Sequence, residues 1–359
     1  MSQVAPMPPS VDYAGPTTLV ASGRSFVTAD RLLRTLTTTA AVIVLLMLAG
    51  LVAVLMVSAW PSVKAYGVHF LVSQDWRPNE LDKPKKGPDG KVIMEDGETV
   101  METIAPSFGA LPVIWGTVAS SIIALVLAVP LSLGASVFLV RIAASWLVAP
   151  VSFLVEFLAA IPSIAYGIWG LFVMTPFLQQ HVEPALNTAF VKIPGLGWLS
   201  SPNGGVTGRD LLAGGMILGI MIIPIITAIS RDVLRNVPRA QIEGTVALGA
   251  TWWQSSKEML KYSRSGLFGA IMLGLARAAG ETMAITMVIG NNNQIKLSPF
   301  APAQTMSSLL ANEFAEASTD LHRGALTEVA LILLLMSLVF NIVARYLVVG
   351  KGSRTAAAH

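Results

Sequence analysis

The sequence predicts an all-α integral membrane protein with six transmembrane helices, and three observations carry that expectation. Hydrophobic residues make up 53% of the 359, charged ones only 13%, and the mean hydropathy is +0.66. A soluble domain carries about 25% charged residues, so this chain lacks the charge to cover a soluble globule. The charge it has is clustered, with 14 of the 45 Asp, Glu, Lys and Arg lying between Pro61 and Glu102. Finally, six stretches can span a bilayer, since a crossing takes about 20 apolar residues at about 1.5 Å each.

In chain order, residues 1–38 form a polar, Pro-containing segment ahead of the first span at 39–60. That lead is too long for a typical secretory signal, so the span reads as an uncleaved signal-anchor. The loop 61–110 carries the charge cluster, and its DKPKKGPDGKVIMEDGETV stretch reads as a solvated hairpin or flexible excursion. Residues 111–349 hold the other five spans. The second is Leu111–Val140, kinked at Pro130. The third, Trp146–Phe177, is too long for one straight helix and contains AAIPSIAYG. Splitting it in two would leave halves too short to cross, so a single span broken at Pro162 and Ser163 is expected. The fourth is Leu211–Ser230, kinked at Pro224, the fifth Gly266–Gly290 and the sixth Ala325–Val349, followed by the tail 350–359.

Lys and Arg near span ends set orientation. Arg24, Arg31 and Arg34, then Arg141, then six basic residues within the loop 231–264, then Arg345, Lys351 and Arg354 all fall on one side of a six-span chain. That side is expected to be cytoplasmic, with both termini, and the loop 61–110 periplasmic.

Several functions are disfavoured. With zero cysteines there is no thiol nucleophile, disulfide or Cys-ligated zinc. His69, His181, His322 and His359 lack metal-ligand spacing and read as incidental loop residues. A net charge of +3 is weak for a nucleic-acid binder, so nucleic acid is not an expected partner. Gly350-Lys351 resembles a P-loop fragment, but position 345 is Arg and position 352 is Gly, where Gly and Ser or Thr are required. No cofactor is expected in this chain, and any ATP and Mg must be bound by a partner.

The cytoplasmic loop reads as two short helices set at an angle. Pro238 suits a first helical turn, Ile242 and Val246 form an apolar face with Leu248 at its edge, and Gly249 can end the helix in a left-handed conformation. Thr251-Trp252-Trp253-Gln254 has capping-box spacing for the next helix. The product is an exposed apolar corner that needs a partner, or else an amphipathic loop resting on lipid. Glu243-Gly244-Thr245-Val246-Ala247-Leu248-Gly249 resembles the opening of the EAA loop of bacterial ABC importer permeases. Two departures are Gly244, where the family has Ala, and Met259-Leu260-Lys261-Tyr262, where it has Ile-x-Leu-Pro. The resemblance implies that Glu243, Gly244, Ala247, Leu248, Gly249 and Ala250 couple the chain to an ATPase subunit.

The fifth span carries a mid-membrane Arg277, with Glu281 four residues on. Gly266, Ala270, Gly274 and Ala278 recur every four residues, and helix geometry puts Arg277 and Glu281 on that same small-residue face. An unpaired Arg at mid-membrane costs about 2.5–3.5 kcal/mol on the insertion scale. Either the two charges form an internal packing pair, or Arg277 lines a path for an anion, its planar fork matched to phosphate or carboxylate. Glu156 in the third span caps the break near Pro162, faces Arg277, or has a local structural role.

EFLAAIPSIAYGIWGLF (Glu156–Phe172), ARAAGETMAITMVIGN (Ala276–Asn291) and SSLLANEFAEA (Ser307–Ala317) resemble PstC-type permeases of the bacterial phosphate ABC importer. The resemblance implies a type I importer permease (MetI-like) core over 111–349 and a substrate path at Arg277, Glu281 and Thr282, joined by Glu156. It also implies a PstA-like permease as heterodimer partner, a dimer of ATP-binding subunits, a periplasmic phosphate-binding protein, phosphate as substrate, and an inner-membrane location among lipid. The alternatives are a related sulfate or molybdate importer permease, a proton-coupled secondary transporter working through Arg277 and Glu281, or a structural or signalling subunit that passes nothing.

Overall fold

The computed structural model describes residues 23–84, 94–95, 98–99, 101–201 and 205–356. Most of the expected N-terminal segment, most of the turn-rich part of the loop 61–110 and the last three residues lie outside that set. The chain divides into two compact units, Met1–Val54 and Leu55–His359.

Helix α1, Gly23–Tyr66, begins in the first unit. There its apolar side chains, Val44, Leu45 and Leu46 among them, are exposed around the helix. A helix apolar on all sides is one that lipid must cover. The hydroxyls of Thr35, Thr37 and Thr38 each bond a carbonyl four residues back, at 2.8, 2.9 and 2.7 Å, so these three polar groups are satisfied within the helix.

The second unit is built on α3 (Leu111–Arg141) and α8 (Leu211–Arg235). They approach closely at two glycines of α8: Gly215 lies against Ser120 and Ile123 of α3, and Gly219 against Ala124 and Leu127. Without a hydrophobic drive between helices in lipid, such close packing supplies the association. Ser132 of α3 donates to the Ile223 carbonyl of α8 at 3.1 Å, one residue before Pro224.

Around this pair lie α4 (Ser145–Ala160), α5 (Ser163–Trp169), α6 (Thr175–Phe177) and α7 (Glu183–Lys192), with π-helical turns at Gly170–Met174 and Leu178–Val182. Next come α9 (Arg239–Ala247), α10 (Trp252–Tyr262), α11 (Arg264–Ala279), α12 (Met283–Val288), α13 (Met306–Glu313) and α14 (Asp320–Ala356). The short α2, His69–Val72, follows α1. Past it two antiparallel pairs form, Leu81–Pro84 with Met101–Ile104 and Met94–Glu95 with Glu98–Thr99, as a hairpin excursion would.

Four described helices are long and apolar enough to cross a membrane, five if the bent pair Ser145–Ala160 and Ser163–Lys192 counts as one. The count differs from the six expected spans because two of the stretches are broken. The third stretch is broken at Pro162 as expected, but it turns by 89° there. The fifth is not one helix: α11 ends at Ala279 and α12 starts at Met283.

Contacts between loops still sort the second unit into two ends. At one end Trp76 bonds Glu313 at 2.8 Å, Ser298 bonds the Leu199 carbonyl at 2.9 Å, and the Leu211 N–H bonds the Ala301 carbonyl at 3.0 Å. At the other, Arg141 reaches Ser255 at 3.4 Å and lies 6.0 Å from the Trp252 ring. Both broken stretches thus run from one end to the other. His322 is no incidental loop residue: it is buried, stacked on Phe108 at 5.3 Å, with Nε2 3.2 Å from Glu313.

Candidate translocation site and coupling corner

The sequence places Arg277 and Glu281 one helical turn apart, but Gly280 ends α11 between them. The i, i+4 ion pair consequently does not form. Glu281 is buried, and its Oε1 accepts the Ala284 N–H at 3.4 Å, at the first turn of α12. Thr282 is the N-cap residue of α12, and its hydroxyl sits 3.4 Å from the Gly280 carbonyl. Among the described residues Arg277 has no hydrogen bond and no ion pair.

Arg277 also departs from the small-residue face. Burial on α11 centres on Leu267, Ala270, Gly274 and Ala278, with Gly274 against Ile226 and Gly266 against Val233 of α8. Arg277 lies at the margin of that arc and is exposed. It lines a cavity of about 530 Å³ together with Ile225, Leu273, Ala276, Gly280 and Glu281. The two charged residues therefore share a cavity without sharing a bond.

The break at Pro162 is connected to Arg277 through Tyr166. Ile161 and Pro162 are extended, with ψ 131° and 137°, and Ser163 opens α5. The Leu158 carbonyl loses its i+4 donor to Pro162 and accepts instead the Ile161 N–H at 3.3 Å and the Tyr166 hydroxyl at 2.8 Å. Tyr166 is also within electrostatic reach of Arg277. Helix α5 packs on α12 at Gly167, where a Cβ would stand 2.7 Å from Met287 Sδ and 3.0 Å from Ala284 Cα. The outer halves of both broken stretches are thus in contact.

Glu156 takes none of the places proposed for it near the cavity. It is exposed, neither caps the break nor faces Arg277, and pairs with Arg231 at 3.1 Å. Arg231 also holds Asp232 at 2.8 Å. This cluster ties α4 to the end of α8, and no local sequence signal marks it because its partners are 75 residues apart.

At the end marked by Arg141, the loop forms the two-helix corner. Gly249 has φ +84°, its N–H bonds the Val246 carbonyl at 2.9 Å, and the Ala250 N–H bonds the Thr245 carbonyl at 3.1 Å. That is a Schellman ending. Thr251 and Gln254 then form a reciprocal capping box. Glu243, Gly244, Ala247, Leu248 and Gly249 are exposed and Ala250 is half-buried, with Leu248 90% exposed. Ile242 and Val246 do not share one free face. Ile242 packs against Leu234, Val237, Met259 and Leu267, leaving Val246 and Leu248 at the tip.

Sequence reasoning missed a buried acid pair, Glu183 and Asp210, at the opposite end. Asp210 caps α8, accepting the Ala213 N–H at 2.9 Å, and Glu183 accepts the Gly208 N–H at 3.0 Å. An Asp directly before an apolar run is a readable cap signal; Glu183, 27 residues earlier in sequence, is not. Glu328 of α14, buried beside Ser62, was likewise passed over.

The fold and this site define an integral membrane permease: the chain belongs to the family of binding-protein-dependent transport system inner membrane components, matched over residues 128–350. It is 40% identical over 338 residues to the phosphate transport system permease protein PstC of Mesorhizobium japonicum, covering 94% of this chain and 95% of that protein. Against PstC of Pasteurella multocida it is 40% identical over 309 residues, covering 86% and 88%. Against a probable PstC of Methanocaldococcus jannaschii it is 32% identical over 290 residues, covering 80% and 84%. Among solved structures, a chain of the inward-facing MetNI methionine ABC transporter matches 66% of this chain and 93% of its own length, with 18% identity and a TM-score of 0.48.

Proposed function

We propose that this chain is the permease subunit of an ATP-driven phosphate importer and forms half of the translocation path. The observation that carries the reading is Arg277, a cation with no carboxylate partner among the described residues, facing an open cavity of about 530 Å³ on the helical bundle. A phosphate ion shedding water needs fixed donors in exchange, and a guanidinium presents them in a matching planar fork. Glu281 is held at the start of α12, so the Arg277 charge is left for the substrate. Thr282 lies alongside as a further polar group.

ATP and Mg are bound by a partner ATPase, which docks on the corner formed by Glu243, Gly244, Ala247, Leu248, Gly249 and Ala250. Val246, Leu248, Trp252 and Trp253 are all exposed in this corner, and such a group of apolar side chains supports coupling to a partner over a chain that acts alone. A PstA-like permease supplies the other half of the path, and a periplasmic phosphate-binding protein delivers the ion at the opposite end. The location is the inner membrane, with both termini cytoplasmic.

The test is labelled-phosphate uptake in cells lacking other phosphate systems, with complex levels checked by pull-down. Arg277→Gln keeps hydrogen bonding without the charge and abolishes uptake while assembly survives. Arg277→Lys keeps charge without the fork and gives an intermediate rate. Normal uptake by Arg277→Gln removes Arg277 from the path.

A further inference from the structure

The gap between α11 and α12 leaves backbone groups that neither helix can satisfy. The Glu281 carbonyl lies in that gap, and its observed donor comes from α13: the Ser307 hydroxyl reaches it at 2.6 Å, buried and 26 residues along the chain. The hydroxyl is itself oriented. Its proton is committed to Glu281, so in the 3.2 Å contact between Ser307 and Thr305 the threonine is the donor. Thr305 in turn accepts the Ser308 N–H at 3.1 Å and exchanges the reciprocal cap of α13 with the Ser308 side chain. The start of α13 is fixed in place by α3, because the Met306 N–H donates to Thr117 at 2.9 Å. Hydrogen bonds therefore link the α3 scaffold, through the start of α13 and Ser307, to the residue whose side chain lines the Arg277 cavity.

We propose that Ser307 is a positioning residue for translocation, fixing the α11–α12 break so that Arg277 and Glu281 keep their places at the cavity. The inference rests on the proposed function for what the cavity carries, but not for the geometry of the break. An unfilled buried carbonyl is costly, so loss of the hydroxyl shifts the break and not only weakens it.

Two measurements test this. The chain contains no cysteine, so Leu273→Cys, on the cavity wall and 54% exposed, gives a single thiol for a methanethiosulfonate reagent. In the assembled transporter, adding Ser307→Ala changes the labelling rate at least about threefold, and adding Ser307→Thr, which keeps the hydroxyl, restores it to within about twofold. In phosphate uptake, on the background without Leu273→Cys, Ser307→Ala lowers the maximal rate about tenfold with an unchanged half-saturation concentration. Ser307→Thr again recovers most of it. If Ser307→Ala fails to reach the membrane, Ser307→Cys, close in volume with a weaker donor, replaces it in the uptake assay with the same expectation. Unchanged labelling and unchanged uptake overturn the proposal. So does a defect that Ser307→Thr shares in full. An Arg277→Gln arm run in parallel separates the two ideas: if it transports normally the substrate path is wrong, while the labelling result still decides the role of Ser307.

Discussion

At the scale of single residues, burial and lost partners decide charge more than sequence spacing does. Arg277 and Glu281 have the spacing of an ion pair and do not pair, because one glycine ends the helix between them. Asp210 is the converse, an acid with an acid for a neighbour. Burial, with the Glu183 charge added, pushes its carboxyl up to about 8, against the pull of the Ala213 N–H in the other direction. Above its ordinary value of about 3.9, the unfolded chain releases this proton and the folded chain keeps it. Folding then takes up a proton, so this contribution to stability is complete below about pH 4 and is lost as pH rises to about 8. Asp210→Asn retains the cap with nothing to titrate. The melting temperature of the wild type minus that of Asp210→Asn, in detergent, is expected to fall steadily between about pH 5 and about pH 8. A difference that stays constant over that range shows that Asp210 folds without its proton.

Among elements, the corner between α9 and α10 was legible in the sequence because all its determinants are local. Gly249 with φ +84° and the Thr251–Gln254 box act within a few residues of themselves. A Cβ at Gly249 would touch nothing, so the obstacle to substitution there is backbone strain alone. Gly249→Val is thus expected to insert normally and to turn the Leu248 tip away, since a β-branched residue resists the left-handed region. The readout is uptake against ATP hydrolysis in the reconstituted complex. Hydrolysis without transport, or loss of the ATPase from the complex, is expected; full uptake counts against the corner as a coupling element. What the sequence could not yield at this scale was whatever depends on distant partners. Arg231 meets Glu156 across 75 residues, and Trp76 meets Glu313 across 237. No periodicity within a helix encodes such pairings. The break in the fifth stretch is a different kind of omission: Gly280 was visible, but a lone glycine in an apolar run is also common inside membrane helices.

For the whole molecule, composition alone sufficed to read a helical membrane protein, while the sidedness expected from its Lys and Arg is a matter for experiment. That sidedness is testable without a cysteine background to remove. Trp198→Cys, at the end near Leu199 and Ser298, is expected to react with an impermeant thiol reagent in cells whose outer barrier is opened. Trp253→Cys, at the Arg141 end, is expected to react only after the inner membrane is permeabilised. The reverse pattern inverts the orientation.

The contact at Gly167 has a mechanical consequence for the molecule as a whole. Each broken stretch has a joint of its own, one at Pro162 and one at Gly280, and two free joints would let the cavity wall deform along two separate coordinates. Because α5 seats against α12 with backbone atoms about 3 Å from where a Cβ would be, the two outer rods are splinted together. With backbone that close and no room to spare, a shift of one cannot take place unless the other gives way.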